Sequence, residues 1–367
     1  MSKVYFDHAA CELPIFEVKE FVKDALTLAY NPSAIYEQGN RNRQVIETVR
    51  KQIARQIHCK PTEIYFTSGA TESNAWAIDG YLKAFPDAEA ISTTIEHSSI
   101  HDNPNIQKLI TVNHHGYVDE KNLARIAKTH NKENTLWVIQ HGNNVIGSIQ
   151  DIARLRTIIP NGRLFVDAAQ TFGKIPIDVK KMQIDMLSGS ARKIGGLGGV
   201  GFLYIKEDLT IKPLLYGAQE NELRGGTYNE IGIGAFGVAL ENCSNKVQLA
   251  IRNRRDFFIE ELLKIPQVRL IGTRSNRLPG IILISIKDVD LGSQQLVGLL
   301  DSMGYMVSTD SACHAGSTKF SHVLEGIGET EKTAKTVLRL SIGIENSPDQ
   351  MLEFIKRLRG IIKMYKV

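Results

Sequence analysis

Four segments of the 367-residue chain hold side chains whose types and spacing suit chemistry. In Phe66-Thr67-Ser68-Gly69-Ala70-Thr71-Glu72-Ser73-Asn74 an apolar strand runs into a turn and a helix start. Gly69 lets the backbone approach a ligand closely, Ser68 and Thr71 offer hydroxyls, and the exposed amides of a helix N-terminus attract phosphate. Capping alone would also account for Ser and Thr at such a place. In Phe165-Val166-Asp167-Ala168-Ala169-Gln170 an apolar strand ends on a carboxylate, suited either to pairing with a cationic ring nitrogen or to capping a helix. Lys193 sits between the segment Asp185 to Arg192 and the glycine-rich run Ile194 to Gly201. An enclosed lysine there would lose charge to desolvation and neighbouring cations and become an imine-forming amine, although most lysines are simply solvated. The run is followed by a strand, Phe202 to Ile205, which is the wrong setting for a dinucleotide fingerprint. Finally, Cys313 lies in Ser308-Thr309-Asp310-Ser311-Ala312-Cys313-His314-Ala315-Gly316-Ser317, small and polar residues that read as a mobile loop. A nucleophilic thiol needs exposure and thiolate character, and His314 beside it would favour the thiolate.

Such side chains need elements beneath them. Helical periodicity covers Phe16 to Tyr30, Arg43 to Ile57 and Lys121 to His130; Ile64 to Phe66, Ala90 to Thr94, Ile110 to Val112, Thr135 to Gln140 and Arg163 to Val166 read as strands. The alternation implies an α/β fold, a mostly parallel sheet flanked by helices, with ligand groups gathered at the carboxyl ends of the strands. From about Leu240 the texture changes to a charged helix (Gln248 to Leu263), strands at Gly280 to Lys287 and Val337 to Ser341, and a closing helix from Pro348 to Tyr365. A second, smaller α+β domain follows from that change.

Composition excludes several classes. With 43% hydrophobic and 23% charged residues the chain is an ordinary folded protein, and a net charge of +4 is too weak to argue for direct nucleic-acid or membrane binding. Arg252, Arg254 and Arg255, like Lys356, Arg357 and Arg359, read as solvated helix faces. The four cysteines, Cys11, Cys59, Cys243 and Cys313, form no C-x-x-C pair, which argues against zinc or a disulfide scaffold and for a reducing compartment. Neither a secretory h-region nor an apolar run of membrane length is present, so a cytoplasmic protein is expected.

In their order these motifs resemble the cysteine desulfurases, within the class V aminotransferases among fold-type I pyridoxal-phosphate enzymes. The likeness runs from Tyr5-Phe6-Asp7-His8-Ala9-Ala10 through Pro14 to Arg339-Leu340-Ser341-Ile342-Gly343. It implies pyridoxal 5'-phosphate as cofactor, carried by Lys193, with Gly69, Ala70, Thr71 and Ser190 at its phosphate. It also implies a large cofactor-binding domain over residues 14–244, and a small domain of residues 1–13 and 245–367 that carries the sulfur-accepting cysteine. By the same likeness His97, in Ile95-Glu96-His97-Ser98, stacks on the ring and assists proton transfer, and Asp167 pairs with the ring nitrogen. Asn144 and Gln170 lie near the phenolic oxygen and the substrate, and Arg339 clamps the substrate carboxylate, a task suited to a planar guanidinium. Cys313 becomes the persulfide cysteine. The implied reaction removes sulfur from L-cysteine, leaves L-alanine, and passes the sulfur to an acceptor protein for iron–sulfur clusters or for RNA or DNA thiolation. Thr227, in Leu223-Arg224-Gly225-Gly226-Thr227, implies a homodimer in which it reaches the partner's phosphate.

The chain departs from the family pattern in places. Arg192 stands where a phosphate-binding histidine is common, and donates to phosphate more strongly. Val145 replaces the usual glutamate, Ile344 an arginine, and Cys11 a threonine, so Cys11 is given no catalytic role. Cys59 and Cys243 are expected to be inert. A selenocysteine lyase is the near alternative, since its loop resembles Ala312-Cys313-His314. A non-catalytic interaction protein on the same fold is the distant one, suggested by Arg192 and Val145. A plain aminotransferase would need no loop thiol.

Overall fold

The computed structural model describes residues 3–130, 132–159, 161–310 and 321–367. Along them the strands are β1 (Val4–Tyr5), β2 (Ile64–Thr67), β3 (Ala90–Thr93), β4 (Ile106–Ile110), β5 (Leu136–Gln140), β6 (Arg163–Asp167), β7 (Met186–Ser190), β8 (Gly201–Ile205), β9 (Val268–Leu270), β10 (Ile281–Ile286), β11 (Tyr305–Met306) and β12 (Val337–Ser341). A central sheet has the order β2-β8-β7-β6-β5-β3-β4. Its neighbours pair parallel except at β8, which runs antiparallel to both β2 and β7. Every residue of β5, β7 and β8 is buried. A sheet covered by helices on both faces has no solvent side, which is why these strands are continuous buried runs and do not alternate.

One face of the sheet packs Phe172 and Phe202 against Ile46, Val49 and Ile53 of the helix Glu37–Ile57 and Phe236 of the helix Glu230–Glu241. The other buries Trp76 and Tyr81 of the helix Ala70–Ala84 against Phe165, Met186 and Leu203. The parallel register sets the ends of β5 and β6 level, Gln140 being the partner of Asp167, and places Ser188 of β7 beside Asp167. Polar side chains therefore stand in a row at the carboxyl edge of an otherwise apolar sheet.

A separate core gathers Val4 and Phe6 with residues between Ile251 and Ile362. Phe6 meets Phe258 and Phe354 with ring centroids 5.5 Å apart in each case, within the range where aromatic pairs attract. The antiparallel sheet β12-β10-β9 and the parallel pair β1-β11 frame this core.

Several sequence expectations shift. The second helix begins at Glu37, six residues before Arg43, because the polar stretch 37–42 carries no apolar stripe to read. The first ends at Ala25, with a short 3-10 turn over Leu26–Leu28. The strand expected at Ile110 to Val112 is β4, an edge strand whose middle residues are exposed, so its hydrophobic signal is weak. Arg255 is a correction: it is buried, donating to the Arg277 and Leu278 carbonyl oxygens at 2.8 Å each. It stands four residues after Ile251 and three before Phe258, on the helix stripe that faces the core. Arg252, Lys356, Arg357 and Arg359 are exposed as expected. No helix among the described residues is long and apolar enough to cross a membrane.

Candidate active site

The row of strand ends opens into a cavity of about 480 Å³. Gly69, Ala70, Thr71, His97, Asn144, Asp167, Gln170, Ser190, Arg192, Lys193 and Arg339 all line it. Thr227 does not; it is exposed and borders a separate hollow with Ser68, Gly199 and Arg224. Cys313 lies outside the described residues.

At one end of the cavity β2 turns into the helix Ala70–Ala84 through Gly69, whose φ of +151° favours glycine. Gly201 on β8 is glycine because a Cβ there would come within 2.6 Å of Gly69 Cα. The turn is braced by Glu72, which accepts from Ser68 N (2.7 Å) and from Arg224 Nε and Nη2 (2.8 and 3.1 Å). Burial pushes the Glu72 carboxyl up, but these bonds outweigh it and hold the group below the ordinary carboxylate range. The result is a braced helix N-terminus on the cavity wall, the kind of place that cradles an anion.

Asp167 closes β6 and is 3% exposed. Its Oδ1 accepts from Ala169 N (2.8 Å) and Ser188 Oγ (3.4 Å), and its Oδ2 from Asn74 Nδ2 (3.0 Å). No lysine or arginine pairs with it among the described residues. A buried carboxylate held by neutral donors retains lone-pair capacity for a cationic partner.

Lys193 reaches the cavity from the short turn Ala191–Lys193 after β7. Its Nζ donates to the Ala9 and Ala10 carbonyl oxygens at 2.8 Å each. Burial, then the positive charges of Lys174, Arg339 and Arg192, push its amine down to about 8. Arg339, 2% exposed on β12, donates from Nη2 to Asp7 Oδ1 (2.9 Å) and from Nη1 to the Asn144 carbonyl oxygen (3.2 Å). Its Nε and the Gln170 Oε1 are buried without a hydrogen-bond partner among the described residues. Arg192 is exposed at the rim, where the sulfur of Cys11 raises its guanidinium further. Val145 is buried in an apolar cluster, and Ile344 is exposed.

His97 caps the short helix Ser98–His101, its Nδ1 accepting from Ser99 N at 3.1 Å. Behind it Glu96 is fully buried, with Oε1 accepting from Thr93 Oγ1 (2.6 Å) and Gln140 N (3.0 Å). Burial drives this carboxyl up to about 8, so it stays protonated at neutral pH despite those two bonds. Cys59 and Cys243 are pushed up to about 12 and about 11 by burial, so neither supplies a thiolate at neutral pH. Asp7, Asn74, Glu96 and Ser99 belong to the site without having been singled out from sequence. A charged residue directly before a candidate histidine, three positions past the end of β3, was the signal for Glu96. For Asp7 and Asn74 the contacts are long-range, and the link from Ser99 to Asn74 spans 25 positions, so no local pattern announces them.

An anion cradle, a buried carboxylate, an amine lowered to about 8 and a guanidinium thus converge on one cavity. The family model described as aminotransferase class-V matches residues 4–354. The cysteine desulfurase IscS of Dictyoglomus turgidum is 36% identical, over 98% of this chain and 95% of that protein. Its counterpart in Methanosarcina thermophila is 35% identical, over 97% and 91%. Among solved structures, a NifS-like protein from Rickettsia africae superposes with a TM-score of 0.89 at 31% identity, covering 98% of this chain and 99% of that one. SspA in complex with cysteine superposes with a TM-score of 0.79 at 28% identity, covering 94% and 100%.

Proposed function

The chain belongs to the class V aminotransferase family, and we propose that within it the protein is a cysteine desulfurase, taking sulfur from L-cysteine and leaving L-alanine. The observation that carries this reading is Lys193: a buried amine brought near neutrality, in one cavity with Asp167, His97 and Arg339. Members of the family use pyridoxal 5'-phosphate, and the donor set here fits it. The cradle of Gly69, Ala70 and Thr71, with Ser190 and Arg192, would hold its phosphate. Asp167 would pair with its ring nitrogen, His97 would lie on the ring, and Gln170 and Asn144 would stand near the phenolic oxygen. Lys193 would carry it. When bound, the cofactor supplies an electron sink for charge developing at the amino-acid carbon.

The chain's own residues do the rest. Arg339 receives the substrate carboxylate in a planar, bidentate grip and fixes the amino acid over the site. The Lys193 amine, once displaced by substrate, accepts the proton leaving the α carbon; an amine near 8 is basic enough to take it and neutral often enough to be ready. The Cys313 thiolate attacks the substrate sulfur: a sulfur–sulfur bond forms, the carbon–sulfur bond breaks, and the carbon skeleton regains protons and leaves as alanine. The Cys313 persulfide then passes to an acceptor protein of iron–sulfur assembly or of RNA or DNA thiolation. Two chains would share the sites, Thr227 serving the partner's cofactor phosphate. The division into residues 14–244 and residues 1–13 with 245–367 is supported by the separate core around Phe6, Phe258 and Phe354. A cytoplasmic setting is supported by the free thiols of Cys11, Cys59 and Cys243.

The test is conversion of L-cysteine to alanine by the purified, cofactor-loaded protein, with Lys193→Ala alongside. Alanine from the wild type only is expected; an oxo acid as the main product would overturn the reading in favour of transamination. L-Selenocysteine as a parallel substrate decides the lyase alternative.

A further inference from the structure

His97 does more in this structure than cap a helix. Its Nδ1 accepts the Ser99 backbone N–H at 3.1 Å, so Nδ1 offers a lone pair there and the neutral ring carries its proton on Nε2. Ser99 Oγ stands 2.9 Å from the same Nδ1. On its other side Ser99 Oγ lies 2.9 Å from Asn74 Nδ2, and that nitrogen is also 3.0 Å from Asp167 Oδ2. The chemistry sets the direction of each bond. A carboxylate oxygen accepts, so Asn74 must turn its NH2 and not its carbonyl toward Asp167. The second hydrogen of that NH2 goes to Ser99 Oγ. Because Nδ1 carries no proton, the Ser99 hydroxyl is the donor in its 2.9 Å contact with His97 Nδ1.

We propose that Asn74 and Ser99 are positioning residues that lock His97 as a neutral Nε2–H donor and tie its ring to the carboxylate of Asp167. The proposal rests on the desulfurase reading above, in which His97 and Asp167 address the same cofactor ring, one at its face and one at its nitrogen. A chain of directed bonds between them fixes both at once. It also assigns the histidine a sense: with Nδ1 occupied by two donors, His97 gives a proton or a hydrogen bond through Nε2 and does not act as a base through Nδ1. Ser99 is partly buried and Asn74 is 1% exposed, so water does not compete freely for these bonds.

The test reads the imidazole directly, by nitrogen NMR of the full-length protein labelled at histidine, with and without cofactor. The His97 signals are those missing from His97→Gln. In the wild type the Nε2–H tautomer is expected. In Ser99→Ala one of the two donors to the neutral ring is lost, so the titration midpoint of His97 should rise by about half a pH unit to one unit. Ser99→Thr, which keeps the hydroxyl, should restore it. The other titratable groups around the cavity, Asp167, Lys193, Arg339, Glu96, His101 and His322, are common to all the variants, so the difference reports on the hydroxyl. An Nδ1–H ring in the wild type, or an unchanged midpoint in Ser99→Ala, would overturn the proposal. The readout needs no turnover: an Nε2–H ring in a protein that makes no alanine would uphold the network and sink the desulfurase reading instead.

Discussion

Lys193 and Glu96 show how one cavity sets two ordinary groups to opposite ends of their range. Burial disfavours the charged form of both, pushing the amine down to about 8 and the carboxyl up to about 8. For Lys193 the consequence is reactivity. In the cofactor-free protein, the rate of modification by an amine-selective acylating reagent, followed by peptide mapping, should rise with a midpoint near pH 8, below that of the exposed lysines. For Glu96 the consequence is stability. The unfolded chain gives up this proton near 4.5 and the folded chain only near 8, so the folded state binds the proton more tightly across that window. The stability this group contributes must fall as pH rises from about 4.5 to 8. Glu96→Gln keeps an acceptor for Thr93 Oγ1 and Gln140 N and removes the proton. Its melting temperature relative to wild type should therefore climb between pH 5 and pH 8, by the equivalent of a few kcal/mol at most. Lys193 and Asp167 could be picked out as candidates from their own segments, His97 and Arg339 only through the resemblance carried by the order of the motifs. Asn74 and Ser99 could not, because their roles come from hydrogen bonds between residues 25 and 93 positions apart.

At the scale of elements, the strands that carry the site were the most readable part of the chain. Buried parallel strands are short apolar runs, and β3, β5 and β6 fall within a residue or so of where those runs predict. Edge strand β4 and the polar first turns of the helix Glu37–Ile57 escaped because neither carries an apolar signal. Less visible still was the brace of the segment leading to Thr227. Glu220, Asn221 and Glu222 all have positive φ, between 49° and 64°, a strained run for non-glycine residues. Arg50 holds it, donating to both Glu220 oxygens at 2.8 and 2.9 Å within the protein. Removing Glu220 leaves the buried Arg50 guanidinium with only the exposed Glu47 as counter-charge, and the strain unopposed. Glu220→Ala should cost about 3–5 kcal/mol in denaturant unfolding and weaken retention of the cofactor through the Thr227 segment. An unchanged unfolding midpoint would mean that the loop is held by other contacts.

At the scale of the whole molecule, two cores meet at the cavity: Asp167 and Lys193 come from the central sheet side, Arg339 from β12 of the smaller one. The Asp7–Arg339 pair and the Lys193 bonds to Ala9 and Ala10 stitch the N-terminal segment across that meeting. Large apolar side chains remain uncovered on a single chain, with Phe16 71%, Ile35 92% and Tyr216 85% exposed. That is consistent with a dimer, and light scattering should give twice the mass of one chain. The order of motifs made the family readable from sequence, since order along a chain survives where individual residues drift. The central claim, that sulfur leaves cysteine for Cys313, is tested most directly by treating the cofactor-loaded protein with L-cysteine without reductant. Alanine and the mass of the Cys313 peptide are then measured together. The account predicts one alanine for each sulfur added to that peptide in a single turnover, and no alanine above background from Cys313→Ala. Alanine formed at the wild-type rate by Cys313→Ala, or wild-type turnover with no sulfur on the Cys313 peptide, would contradict it.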